Sequence, residues 1–385
     1  MERRYFSEEH RLLRDMVREF ARNEVGPVAD ELDREGRFPD DLVSKMAELG
    51  LMGIPIPQEY GGAGMDMVAY TITVQELARV DGSVAITAAA HTSLGTMPIL
   101  LFGNKEQQEK YLPPLASGEM LGAFGLTEPE AGSDAGATRT RAERKGDKFI
   151  VNGQKVFCTN AGQAGIIIIT ARLFDNGEDQ GISTFLVEKD TPGLRLGKPE
   201  KKMGWRASDT RSLFFEEMEV PAGNLLGQPA RGFRQFLQTL TGGRISVGAL
   251  ALGTGEGAYQ LALNYSQERE AFGRKISQFQ SVQFSLADMA TQLEAARHLV
   301  YHAAWLTDQG QHVIKEAAMA KLFASELAMR ITTDAIQIHG GYGYIREYQV
   351  ERFFRDAKVL EIGEGTSEVQ RMVIARQILD GARKL

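Results

Sequence analysis

The apolar residues of this chain repeat with a helical period in the first third, a strand period in the middle and a helical period again to the end. That switch constrains the fold more than any single motif, because a pattern that gives a helix one buried face scatters its apolar residues over both faces of a strand. From Ser7 to about Gly118 the pattern is helical. Ser7 is a candidate N-cap, Glu8 and Glu9 fill the first turn, and Leu12, Leu13, Met16, Val17 and Phe20 fall at helical spacing. Gly61, Gly62 and Gly64 interrupt it, and VAYTITVQELARV resumes it. In the middle, KFIVNGQKVF reads as two short strands around an Asn152-Gly153 turn, and IIIITAR, ISTFLVEK and SLFFEEMEV add strands parted by Gly and Pro. Strands with no helices between them predict an antiparallel sandwich or barrel rather than a doubly wound parallel sheet. After about Gly232 the helical period returns. Leu286, Met289, Leu293, Ala296, Val300 and Ala303 form one stripe, and Ala317 to Ile338 a further helix ending at Gly340-Gly341. The fold expected is α+β, mainly α: a helical domain over residues 1–120, a β domain over 121–230 and a helical bundle over 231–385.

The balance of charge excludes some partners. The net charge is -7 and no Lys/Arg run reverses it locally, so nucleic acid is not expected to bind. Cys158 is the only cysteine, which rules out an intramolecular disulfide or a thiolate metal cluster. His298 and His302 lie four apart on a helix, but nothing nearby completes a coordination sphere, and no metal is expected. The charged start, MERRYFSEEHRLLRDMVREF, lacks a secretory apolar stretch, and no uninterrupted membrane-length apolar run is evident. A cytoplasmic or mature organellar matrix location, away from membranes, is expected.

Five segments could carry chemistry. In LGAFGLTEPEAGSDAGA, small residues with Thr127 and Ser133 could cradle a planar heterocycle or a diphosphate; a plain connecting loop serves equally well, and Glu128 and Asp134 oppose a phosphate unless they point away. In KVFCTN, Phe157 and Thr159 should share one strand face, opposite Cys158, and could flank a ring; a core strand face is the commoner meaning. In ERxAFGRK, Arg269, Phe272 and Arg274 place cations beside an aromatic, either as a diphosphate clamp or as cations complementing a helix end. DAIQIHGGYGY is explained fully by a glycine cap. In LEIGEGTSEVQR, Ser367 and Gln370 have capping-box spacing, which accounts for them but not for Glu364. A carboxylate between two glycines suits a base that must reach a substrate and lose water. GTGEG at Gly253 to Gly257 lies in a helical run and fails the context for dinucleotide binding.

Together LTEPEAGSDAGA, the NG dipeptide followed by KVFCTN, RxAFG, QIHGGYGY and EGTSEVQR, in this order, resemble the acyl-CoA dehydrogenase family across nearly the whole chain, closest in look to its short-chain and branched short-chain members. The resemblance implies a helical domain, a central antiparallel β-barrel and a four-helix bundle, assembled as a homotetramer of two dimers with non-covalent FAD. It assigns Phe124, Leu126, Thr127 and Ser133 to the flavin and substrate loop, Ser133 serving both ligands, and Phe157 and Thr159 to the flavin ring. Arg269, Phe272 and Gln280, with Gln337, Ile338, Gly340 and Gly341, would reach FAD across a subunit interface. Thr366 and Glu368 would touch FAD, Arg244 and Gly365 the acyl-CoA, and Glu364 would take the α proton. Hydride would leave the β carbon for the flavin, giving a trans-2-enoyl-CoA, and electrons would pass to an electron-transferring flavoprotein.

Departures from the family pattern bear on the substrate. Gly363 stands where short straight-chain members often carry a bulky residue, and Gly243 occupies the position from which some branched-chain and long-chain members supply their base. AAAHTSLG, matching an acyl-pocket segment, holds no Arg or Lys for a distal carboxylate, which disfavours a glutaryl-type substrate; Thr241 replaces a common acidic residue. Two rival readings are an acyl-CoA oxidase, which oxygen uptake would reveal, and a non-catalytic flavin- or partner-binding protein on the same scaffold.

Overall fold

The computed structural model describes residues 2–382. Its amino-terminal helices are α1 (Glu2–Tyr5), α2 (Glu8–Phe20), α3 (Ala29–Glu35), α4 (Asp40–Glu48), α5 (Met67–Ala78), α6 (Gly82–Ala90), α7 (Met97–Phe102) and α8 (Lys105–Ala116). Ser7 caps α2 as expected: its hydroxyl accepts from the His10 N–H, and His10 Nδ1 accepts from the Ser7 N–H at 3.1 Å. Leu13, Val17 and Phe20 face the core, whereas Leu12 points to solvent. Residues Gly82–Phe102 are long and apolar enough to cross a membrane, which corrects the expectation that no such stretch exists. With 78% of it buried inside the protein, this stretch serves as core.

The central sheet holds β1 (Leu121–Gly125), β2 (Arg141–Lys145), β3 (Lys148–Thr159), β4 (Ala164–Asp175), β5 (Glu178–Glu188), β6 (Leu194–Leu196), β7 (Thr210–Pro221) and β8 (Leu225–Leu226). The antiparallel barrel expected from the strand pattern is corrected in two respects. The sheet path, β6-β7-β3-β2-β4-β5-β8, is open, and β1 and β2 both run parallel to β4. The reason is visible in the register. β1 pairs with Ala164 to Ile169 of β4 and β2 with Arg172 to Phe174, so the two behave as one strand interrupted by the excursion Leu126 to Thr140. The Asn152-Gly153 turn is also corrected. β3 runs straight through it, and the hairpin with β2 turns six residues earlier, at Gly146-Asp147, where Gly146 takes φ +62°. Asn152 instead clasps a bulge in β7, exchanging side-chain and backbone hydrogen bonds with Glu217 at 2.7 and 2.8 Å.

The chain then enters α9 (Gly232–Glu268), a 37-residue helix, followed by the hairpin β9 (Glu270–Ala271) and β10 (Arg274–Lys275) and by α10 (Gln280–Asp308), α11 (Ile314–His339), α12 (Val350–Lys358) and α13 (Ser367–Ala382). α9, α10, α11 and α13 pack as a bundle, and α5 lies against α9. The predicted α10 stripe from Leu286 to Ala303 is buried throughout. One apolar core joins α2, α5, α6, α9, α10 and α11; a second fills the sheet; a third seats α7 and α8 on Ile166, Ile168 and Leu186.

Candidate active site

Glu364 lies in the turn before α13 with φ +51°, a left-handed backbone that only surrounding contacts hold in a residue with a side chain. Gly365, at φ +93°, continues the turn. Gln370 reaches back from the first turn of α13 and donates to the carbonyls of Glu364 at 3.1 Å and Gly365 at 2.9 Å. Lys321 of α11 donates to the same Gly365 carbonyl at 2.8 Å. The Glu364 carboxylate therefore swings onto α9, where Gly243 makes room: a methyl group there would collide with Oε2.

Glu364 is half-buried, and one oxygen of its carboxylate is enclosed but unsatisfied. Oε2 is buried without a hydrogen-bond partner among the described residues, and so are Arg244 Nε, Ser367 Oγ and Gln370 Oε1. Buried polar atoms are almost always paired, so this cluster marks a place prepared for a ligand with its own donors and acceptors. Burial pushes the Glu364 carboxyl up to about 7, against the pull of Lys321 and Arg244. Burial in turn brings Lys321 down to about 8 and lowers Arg244, both opposed by the Glu364 charge. The Glu364 N–H donates to no group among the described residues.

The excursion from Leu126 to Thr140 is closed at its neck by a buried ion pair. Lys155 of β3, wholly buried, donates to Glu128 at 2.7 Å and to the Leu126 carbonyl at 3.0 Å. Glu128 also accepts from the backbone N–H groups of Arg139 and Thr140. Its carboxylate thus points away from the loop's open face, the condition under which that face can take an anion. The Thr127 carbonyl accepts from Val156 N–H at 2.8 Å, which fixes the loop beside a bulge in β3. In that bulge Phe157 adopts φ +59° and presents its ring to solvent, 68% exposed, while Cys158 turns inward, its thiol pushed up by burial to about 12. Thr159, half-buried, pairs with Thr210 of β7. Phe124 stacks on Phe236 of α9 at 6.3 Å, and Phe236 precedes Gly243 by seven residues, about 10 Å along the helix. Ser133 lies exposed near the outer end of the loop.

The other expected contacts cluster elsewhere. Arg269 ends α9 beneath the Tyr342 ring, 5.5 Å from its centroid, and Gly340 and Gly341 lie exposed where α11 ends. Phe272 and Gly273, at φ +52° and +78°, form a two-residue hairpin turn whose phenyl ring is 94% exposed. Gln280 and Gln337 are exposed, and Ile338 is half-buried. This group lies at the far end of α9, about 37 Å along the helix from Arg244.

Three family models cover the chain: acyl-CoA dehydrogenase N-terminal domain over residues 7–119, middle domain over 123–218 and C-terminal domain over 230–379. The chain belongs to the acyl-CoA dehydrogenase family. It is 49% identical to the short-chain specific acyl-CoA dehydrogenase of Clostridium acetobutylicum, over 96% of this chain and 98% of that protein. Butyryl-CoA dehydrogenase from Megasphaera elsdenii superposes with a TM-score of 0.94 at 44% identity, over 97% of this chain and 99% of that one. An acyl-CoA dehydrogenase from Bacillus anthracis, solved in complex with FAD, superposes with a TM-score of 0.93 at 36% identity, over 98% of this chain and 68% of that one. Members named for this activity are oxidoreductases of a CH–CH bond, and the chain shares their fold throughout.

Against that family background, two details differ from the sequence expectation. Thr366, not Ser367, caps α13: its hydroxyl accepts from Val369 N–H at 3.3 Å, and Gln370 is turned to the Glu364 loop instead of completing a capping box. Lys321 was missed, although a signal existed: a lysine on the apolar stripe of Ala317, Ala324 and Ala328. Glu368 is exposed beside the capped turn. His298 pairs with Glu294, and His302 stacks on Trp305. A cavity of about 620 Å³ between α2, α5, α9 and α10 lies apart from Glu364. Its arginines Arg18, Arg79 and Arg297 are engaged with Glu76 and Glu256, so it reads as an internal ion-pair network.

Proposed function

We propose that this chain catalyses FAD-dependent α,β-dehydrogenation of a short- or medium-chain acyl-CoA, straight or branched, with Glu364 as the base. The observation that carries this reading is the Glu364 carboxylate: enclosed, unpaired, held on a left-handed turn, and poised near neutrality. A base must lose its water to gain basicity, and burial supplies that. The free Glu364 N–H can donate to the thioester carbonyl, where charge develops as the α proton leaves. Arg244 and Gly365 border the same space and would meet the acyl-CoA. FAD, held by the residues named below, would supply the acceptor for the β hydride.

For the cofactor, Leu126, Thr127, Ser133, Phe157 and Thr159 would hold the flavin end, with Phe124 behind them and Thr366 and Glu368 beside it. Arg269, Phe272, Gln280, Gln337, Ile338, Gly340 and Gly341 would take the diphosphate and adenosine of a flavin bound by a second copy. The position of this second group at the far end of α9 from Gly243 and the Glu364 turn supports sharing of FAD between subunits, in a dimer or a tetramer of two dimers. The three units would be residues 1–120, 121–230 and 231–385, and an electron-transferring flavoprotein would carry the electrons away.

The reading is tested by anaerobic titration with butyryl-, isobutyryl-, isovaleryl-, hexanoyl- and glutaryl-CoA, following visible flavin absorbance. Bleaching by one of the first four is expected; a bound flavin that none bleaches would overturn it. Two further results are expected. The flavin reduction rate should rise with pH through about 7 and level off above, because only the ionised Glu364 can accept the proton. A rate unchanged across that range, measured by stopped flow, would contradict the base. Replacing Phe272 by Ala should weaken FAD binding about 10- to 100-fold, read by gel filtration of the flavin, with the helical content intact because the ring is exposed. Unchanged affinity would place the adenosine elsewhere.

A further inference from the structure

Lys321 is an anomaly in the bundle. A fully buried lysine is rare unless paired, and this one lies on the inward face of α11 among alanines. No carboxylate lies within ion-pair distance of it among the described residues, and the acceptor it reaches is the Gly365 carbonyl. That carbonyl belongs to the turn that carries Glu364, and Gln370, equally buried, donates to it and to the preceding carbonyl. Both donors pull the two peptide oxygens of the turn inward, toward α11 and α13. With the oxygens pinned there, the backbone at Glu364 stays left-handed and its side chain falls over Gly243 on α9. Released, a glutamate would relax toward negative φ, since the left-handed region is costly for a side chain with a Cβ.

We propose that Lys321 is the positioning residue for the base: its ammonium, with the Gln370 amide, clamps the Gly365 carbonyl and so delivers the Glu364 carboxylate to the gap above Gly243. This rests on Glu364 being the base. The clamp is also charged. The groups that face Glu364 are Lys321 from α11, Arg244 from α9 and the Tyr70 hydroxyl from α5; those that face Lys321 are Glu364, Arg244, Glu361, Glu326 and Glu368. Lys321 therefore acts on the base in two ways, by geometry through the carbonyl and by favouring the ionised carboxylate.

The test compares Lys321→Met, Gln370→Met and Glu364→Gln with the parent as FAD-loaded proteins, using butyryl-CoA, or whichever acyl-CoA bleaches the parent, as the probe. Lys321→Met is expected to keep its flavin spectrum and to reduce flavin about 100-fold more slowly, the scale of a displaced catalytic group. KM should change by less than about threefold, because the loss is confined to the chemical step. The acidic limb of its pH profile should move to higher pH, as removal of a cation makes the carboxylate harder to ionise. Gln370→Met should slow reduction while leaving the limb where it is, which separates geometry from charge. If Lys321→Met does not fold, the decision falls on Gln370→Met, whose rate within about threefold of the parent overturns the clamp. A Lys321→Met protein that folds, reduces flavin at the parental rate and keeps its pH limb overturns it equally. Failure of the base assignment looks different: Glu364→Gln would then reduce flavin normally, whereas failure of the clamp alone leaves Glu364→Gln inactive and Lys321→Met fast.

Discussion

A Glu364→Gln variant is expected to bind FAD, to bind acyl-CoA and to leave the flavin oxidised, its reduction rate lowered about 10⁴-fold. The amide keeps the volume and the turn but cannot accept the α proton. Gly243 occupies the alternative position from which a base could reach the same space and carries no side chain, so no second carboxylate takes over. Stopped-flow reduction under anaerobic conditions reads the loss directly, and reduction within tenfold of the parent would remove Glu364 from the mechanism. The same variant should differ in stability, with a definite sign. The carboxyl is raised in the folded protein from 4.5 to about 7, so the folded state holds a proton that the unfolded chain gives up between those values. Its contribution is complete below about pH 4.5 and is lost as pH rises through 7. Glutamine escapes this penalty, and the variant should therefore resist urea better than the parent above pH 7 and no better at pH 4.5.

The second large effect is expected from Glu128→Ala. Removing this carboxylate leaves Lys155 wholly buried with its charge unanswered, and strands the N–H groups of Arg139 and Thr140. Breaking a buried pair by deleting one partner costs about 3–5 kcal/mol, far more than the pair itself contributes over an apolar substitute. The urea midpoint of the unfolding phase of the sheet should fall accordingly. Loss of FAD should accompany it, because the neck that holds Leu126 and Thr127 opens. The double variant Glu128→Ala with Lys155→Met, which removes both charges, should recover much of the stability. A midpoint for Glu128→Ala indistinguishable from the parent would mean that the pair does not govern this region.

Much of this was legible in the sequence, and the misreadings have physical causes. The switch of hydrophobic period located the helical and strand regions, because each face of α10 and each strand of the sheet obeys its own repeat. Asn152-Gly153 misled because turn chemistry is local, whereas the choice between two neighbouring turns is made by register. Gly146-Asp147 wins because it lets β3 pair with β2 over Lys148 to Asn152 and with β7 from Lys148 to Thr159. The open, mixed sheet was not legible, since nothing in LGAFG or RAERK announces that both lie beside one long strand. Glu364 stood out through its flanking glycines. Lys321 did not, because what makes it matter is a carbonyl 44 residues away.

The interrupted strand has a consequence for variation. Because Glu128, Lys155 and the β1 and β2 pairings fix both ends of the excursion, residues 129–135 hang from a closed loop, beyond the Gly136 carbonyl that Arg172 of β4 holds at 3.2 Å. Lengthening such a loop costs little, as closure entropy grows only logarithmically with length. Insertions or exchanges there should express and fold like the parent while altering what the protein accepts, which makes this segment a ready position for grafting new recognition onto an unchanged scaffold.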